Sequence, residues 1–326
     1  MTYSHSYASL AAALLSVGYL SAQTPSWNLP TNGYFYDSVS GSIRPILGVL
    51  GSAYAGPAVF TALDWASVAP DGRSALVSQQ DRLWWIPDLS NSNPAPLSVG
   101  GIDLPVECRW SAGSKTAALL SPRSGTIVWL SFAAPAPTLT QRWELPRLRA
   151  AGWTLLAADA NANSVLLAAR VAGESNIWIA SPSTPPTGVG RAQLPVAGVF
   201  ASRSRSAYLA DAGAHTVSLI QFQDSVVTQT ILRSEDGIDD PSGLALSSDD
   251  SQLFVADASA LNIRAYNLQS HSAGPALALS EIPGPLVPLG TDLFLVNRRE
   301  RPDQPFLVLV TSGAATVLFI PAGGSQ

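Results

Sequence analysis

The stretch DDPSGLALSSDDSQLFVADASALNIRAYNL, Asp239 to Leu268, holds three short apolar bursts separated by polar turns. Each burst has strand length, and Asp, Ser and Asn fill the gaps, so the segment reads as a three-stranded meander. Weaker copies recur along the chain. Six stretches line up: LDWASVAPDGRSALVS from Leu63, ECRWSAGSKTAALLS from Glu107, GWTLLAADANANSVLLAA from Gly152, GVFASRSRSAYLAD from Gly198, GLALSSDDSQLFVAD from Gly243 and PLVPLGTDLFLVN from Pro285. Apolar anchors at Trp65, Trp110, Leu155, Phe200, Leu244 and Leu286 recur at a period of about 44 residues.

A third strand follows each hairpin, and its start is marked. Asp257 stands five residues before Asn262, Asp211 five before Thr216 and Asp37 five before Ser42, while Ser121 holds the same place before Thr126. A carboxylate at a strand end can accept N–H bonds from the turn that follows, so the recurring Asp reads as a loop staple. Its recurrence also shows that GYFYDSVSGSIRPILG, from Gly33, is the tail of a further copy, with VLGSAYAG as its fourth strand. Fourth strands elsewhere are weaker, as outer edges should be: APLSVG, TLTQRWEL, GRAQLP, VVTQTILRS, PALALSEI and ATVLFIPAG.

Four short strands per period, none able to bury its own faces, specify an all-β chain with a single β-propeller of four-stranded blades. The 304 residues after Ala22 are close to seven periods, with six blades as the alternative. The inner strand of the first copy must come from PSWNLP or from the C-terminus. ATVLFIPAG could complete either the last blade or the first, and in both cases the termini meet.

The residues PSGLALSSDDSQLFVAD followed by NIRAYNL resemble the NHL and YVTN class of propeller repeats. That resemblance implies a repeat, not an activity: such propellers include peptide-binding scaffolds, extracellular interaction modules and lactone-hydrolysing enzymes. WD40-type Gly-His and Trp-Asp pairs, tryptophan-docking motifs and Asp boxes are absent.

Composition narrows the function classes. Apolar residues make up 47% of the chain and charged residues 13%, against roughly 25% in an average globular protein, which excludes a disordered chain. With net charge −5 and no basic run, a nucleic-acid partner is not expected. Cys108 is the only cysteine, so no intrachain disulfide or cysteine metal cluster can form. The apolar run from Ala8 to Leu20 suits a signal peptide over residues 1–22, leaving 23–326 as the propeller domain, secreted or periplasmic, with no stable membrane span.

The chain has three histidines, His5, His215 and His271, and no G-x-S-x-G elbow or P-loop, so imidazole or serine chemistry is not expected. The first expectation is therefore a non-catalytic scaffold, without cofactor, that binds a protein, peptide or glycan. Its contact loop would be RRERPDQP in the last blade, with Arg298, Arg299, Glu300 and Arg301 as binding residues. The alternative is a lactonase-type hydrolase in which Asp64, Glu107 and Asp240 converge at the channel mouth, near Asp211, Asp257 and Asn297, and hold a divalent metal such as Ca²⁺. Trp84, Trp85, Trp129 and Trp178 cluster on third strands and are expected to pack between blades.

Overall fold

The computed structural model describes residues 30–91, 95–146, 152–202, 205–222, 225–298, 303–311 and 314–323. They form seven antiparallel sheets, each ordered as the chain runs, which build a seven-bladed β-propeller. Blades 2 to 7 span residues 65–99, 107–144, 152–192, 195–232, 241–278 and 283–319, with four strands each. Blade 1, at 31–55, has three strands among the described residues.

In register, the first blade begins at a second strand. Asp37 pairs with Ser42 as Asp211 pairs with Thr216 and Asp257 with Asn262, so Thr31–Asp37 is the counterpart of Ser206–Asp211 and Gln252–Asp257. The expected inner strand PSWNLP falls almost wholly, and residues 1–22 wholly, outside the described residues. The C-terminus does two jobs in succession. Ala314–Phe319 completes blade 7, and the tail beyond it runs parallel to the outer strand of blade 1, where Ala55 N–H donates to Pro321 O and Gly323 N–H to Ala55 O, both at 2.9 Å.

Seven apolar clusters form the core, and each lies across one boundary between neighbouring blades. Tyr34, Ile43 and Ile86 join blades 1 and 2, and Phe35, Ile46 and Leu307 join blades 7 and 1. This distribution is the physical reason for the ring: a twisted four-stranded sheet has two apolar faces, and only a neighbour on each side removes both from water. The third-strand tryptophans follow the same logic. Trp85 and Trp129 face the next blade, while Trp84 and Trp178 face the preceding one.

The first two strands of a blade meet in equivalent turns. Gly72 N–H donates to Ala69 O, Ser114 to Ser111, Ala162 to Asp159 and Asp250 to Ser247. The last residue of each turn lies in the left-handed region, with φ of 64°, 56°, 54° and 58°. Two fourth strands differ from their expected limits. Thr184–Ala192 begins ahead of GRAQLP, because Pro185 and Pro186, which read as breaks, are tolerated in an edge strand. Ser272–Ala278 likewise lies ahead of the end of PALALSEI.

Candidate functional site

The loops that enter first strands share one face of the ring with those that join second to third strands, and the aspartate staples work there. Asp257 accepts N–H bonds from Asp239 at 2.7 Å, Asp240 at 3.3 Å and Ala260 at 2.9 Å, and the Ser259 hydroxyl at 3.0 Å. Asp211 accepts from Gln193 and Leu194 on one side, each at 2.7 Å, and from Gly213 and Ala214 on the other. One carboxylate therefore fixes both loops of its blade. Asp37 holds Val39 and Ser40 of the loop that follows its strand, and the Ser121 hydroxyl donates to Asp103 O at 2.7 Å.

Asp64, Glu107 and Asp240 do stand where first strands begin, in blades 2, 3 and 6. The structure does not gather them. Among the described residues, no three His, Cys, Asp or Glu side chains lie close enough together to hold a metal. Glu107 accepts the Leu155 N–H at 2.6 Å, so one of its oxygens joins blade 3 to blade 4. Asn297, at the place Asp257 holds in blade 6, is half-buried, and its enclosed Oδ1 has no hydrogen-bond partner among the described residues. Arg299, Glu300 and Arg301 lie outside the described residues; Arg298 closes the strand Leu293–Arg298.

Arg109 was not singled out by sequence, because one arginine in a short strand carries no motif. It lies on the first strand of blade 3, Glu107–Trp110, two residues beyond Glu107 and so on the same face. Cys108 and Trp110 face blade 2, where the Trp110 indole donates to Ser67 Oγ at 3.0 Å. Arg109 turns the other way: Nε donates to Leu156 O of blade 4 at 3.3 Å and Nη1 to Cys108 O at 2.9 Å. Protein packs against the guanidinium, but the residue as a whole is exposed. Burial lowers its pKa, with Glu107 and Cys108 acting in the opposite sense. Glu107 is shifted upward by burial, against the Leu155 N–H bond and the Arg109 charge.

The opposite face of the ring carries a recess. The first turns of neighbouring blades are joined there by hydrogen bonds: Asp71 N–H to Ser114 Oγ for blades 2 and 3, Ala112 N–H to Ala160 O for 3 and 4, Ser202 N–H to Asp250 for 5 and 6, and Ser248 N–H to Asp292 for 6 and 7. Among the described residues no such bond joins the turns of blades 4 and 5. A recess of about 710 Å³ opens at that boundary, a volume typical of small-ligand sites. Ile179, Phe200 and Phe222 line its floor, and the two phenylalanine rings lie 5.9 Å apart at 57°. Asn161, Asn163, Ser181, Ser183, Thr184 and Ser202 bring neutral polar groups to the wall. Its charges are balanced. Arg205 is exposed, and Asp159 gives its oxygens to the N–H groups of its own turn, from Asn161, Asn163 and Ser164.

No family model matches the chain, and no curated protein is similar to it in sequence. Solved structures are similar in shape. A protein from Lactobacillus plantarum superimposes with a TM-score of 0.63 at 13% identity, over 89% of this chain and 96% of that one. A protein assigned as a 6-phosphogluconolactonase, from Bacteroides fragilis, gives 0.56 at 14% identity over 89% and 94%. The β-propeller domain of Myceliophthora thermophila Cps50 (Swd1) gives 0.53 at 11% identity over 86% and 97%. At these identities the likeness establishes the fold class, a seven-bladed propeller, and nothing finer.

Proposed function

We propose that this propeller is a non-catalytic binding module that takes a short, neutral glycan into the recess between its fourth and fifth blades. The observation that carries this reading is the pairing of an aromatic floor, Phe200 and Phe222, with a wall of hydroxyl and amide groups. A sugar ring needs both: an apolar patch for its C–H face and closely spaced donors and acceptors for its hydroxyls. With one Arg and one Asp at the recess, neither sign of ion is favoured, and both side chains suit pairs of hydroxyl groups. The walls are mostly turns, so an extended peptide would find little free backbone to pair with there.

A glycan array probed with the labelled protein tests this. Neutral oligosaccharides should be retained, and Ser183→Trp, which places an indole at the exposed mouth, should reduce retention about tenfold or more while thermal unfolding stays as in the parent. Arg205→Ala should weaken binding less, since it removes one polar contact. Retention unchanged in Ser183→Trp would place the ligand elsewhere, and an array that stays blank while a displayed peptide library is enriched would replace the glycan with a peptide.

A further inference from the structure

We infer that a second cavity, between blades 1 and 2, takes a small neutral molecule of the indole class, with two fused aromatic rings and one N–H donor. The cavity shares no residue with the recess between blades 4 and 5, so it stands independently of the glycan reading.

Its origin is a shortage of strand. The fourth strand of blade 1 is two residues long, Tyr54–Ala55, where that of blade 4 runs over nine, Thr184–Ala192. The chain then returns to the third strand of its own blade at a single bridge, with Ile43 N–H to Phe60 O at 3.0 Å and Val59 N–H to Ile43 O at 2.9 Å. Blade 2 meanwhile turns an apolar face toward blade 1. Val77 and Trp84 lie opposite each other in register, and Gln79 and Ile86, two residues further on, share their face. So short an outer strand leaves part of that face uncovered. What remains is a cavity of about 320 Å³, with buried Leu63, Val77 and Ile86 at its base and half-buried Phe60 and Trp84 beside them.

Size, charge and polarity select the occupant. Roughly 150 Å³ suffices for benzene in an engineered apolar cavity, and this volume, about twice that, suits two fused rings. No charged residue lines the cavity, so an ion would give up its water without gaining a partner. Water does badly there too, since the aliphatic base offers it no hydrogen bond, and an apolar ring that displaces it gains. The rings of Phe60 and Trp84 supply faces and edges for aromatic packing. One acceptor completes the site. The Gln79 amide donates to Ala62 O at 3.2 Å, which fixes the side chain and leaves Oε1 free among the described residues. That oxygen calls for a donor, and the N–H of an indole provides it. A peptide is less well suited. Gly56, Val59 and Leu63 already give their N–H groups to Pro45 O, Ile43 O and Gly41 O, which leaves little edge for a strand to join.

Ligand-observed NMR titration of the intact protein tests the site, with indole, its carbocyclic analogue indene, and acetyl-tryptophanamide as probes. Indole should bind more tightly than indene, and acetyl-tryptophanamide no more tightly than indole. Trp84→Ala should weaken indole about tenfold or more, because it removes one aromatic wall. Thr61→Trp and Gln79→Met serve where Trp84→Ala folds poorly. Thr61 is exposed, and an indole placed there fills the opening, so binding of both free ligands should be lost. Gln79→Met should weaken indole about threefold to tenfold, the worth of one neutral hydrogen bond, and leave indene as it was. No binding of indole at millimolar concentration, or indole binding in Thr61→Trp equal to that of the parent, would overturn the site. An unchanged ratio of indole to indene in Gln79→Met would overturn the need for a donor, and tighter binding of acetyl-tryptophanamide would make the occupant a peptide. Loss of glycan retention with indole binding intact would overturn only the recess.

Discussion

In blade 3, the indoles of Trp129 and Trp143 donate across to blade 4, to Ala162 O and Ser181 O, each at 2.8 Å. In blades 5 and 6 no indole does this; besides the Ser202–Asp250 and Ser248–Asp292 ties to the next blade, Asp211 and Asp257 each collect N–H bonds from two loops of their own blade. The two halves of one ring thus share a strand plan but not a means of holding it. The place of Asp257 is taken by Ser121 in blade 3 and by Val171 in blade 4, while Trp129, Trp143, Trp153 and Trp178 all gather at the boundary between those two blades. Where a blade lacks its own staple, apolar bulk against the neighbour holds it. A repeat fold permits this exchange because each blade must be stable only in its neighbours' company.

The largest effect expected from this contrast is at Trp129, which is 2% exposed and packs among Leu155, Val165 and Leu167. Trp129→Ala should cost about 3–5 kcal/mol in urea unfolding, through the cavity it leaves and the donor taken from Ala162 O. A loss below about 1 kcal/mol would show that the boundary between blades 3 and 4 is not held by its indoles. Asp257→Ala should come next, at about 2–3 kcal/mol, because three backbone N–H groups and one hydroxyl lose their acceptor together. Hydrogen exchange should quicken at Asp239, Asp240 and Ala260 without quickening in blade 3. Exchange that quickens equally in both regions would mean that the staple serves the whole ring and not its own blade.

The same contrast explains what could be read from sequence. The blades with Asp staples were legible residue by residue, since Asp37, Asp211 and Asp257 stand at one spacing from the next strand and act as that spacing implies. Blades 2 and 4 were legible as a period and an apolar pattern, without a polar mark, and blade 3 with only Ser121 at the staple position, because bulk carries no fixed position. The site was less legible still. The recess comes from a boundary between Phe200 and Phe222 of one blade and the turn at Asp159 of another, residues brought together by ring closure and not by spacing. Glu107 was singled out as a metal ligand for its place at the start of a first strand; the bond it accepts from Leu155 N–H of blade 4 comes from ring closure and has no mark in the sequence. Nothing in ECRW announces that its arginine reaches Leu156 O of blade 4, since a strand of four residues alternates too briefly to reveal which side meets which neighbour.

The smallest effect expected is also the most specific, because it has a sign. Burial alone would raise the Asp257 carboxyl, but the bonds from Asp239, Ala260, Ser259 and Asp240 outweigh it and hold the group below the usual carboxylate value. A group depressed in the folded state contributes stability that is fully present above its unfolded pKa, about 3.9, and is lost as pH falls through the lower folded value. Glu107 is shifted in the opposite direction, so the acid limb of the parent alone mixes two signs. The difference between the parent and Asp257→Asn separates them, since Glu107 is common to both and Asn does not titrate. In urea unfolding from pH 7 to pH 3, that difference should stay level down to about pH 5 and then shrink. A difference that holds constant to pH 3 would mean that Asp257 grips its two loops by shape, with no help from its charge.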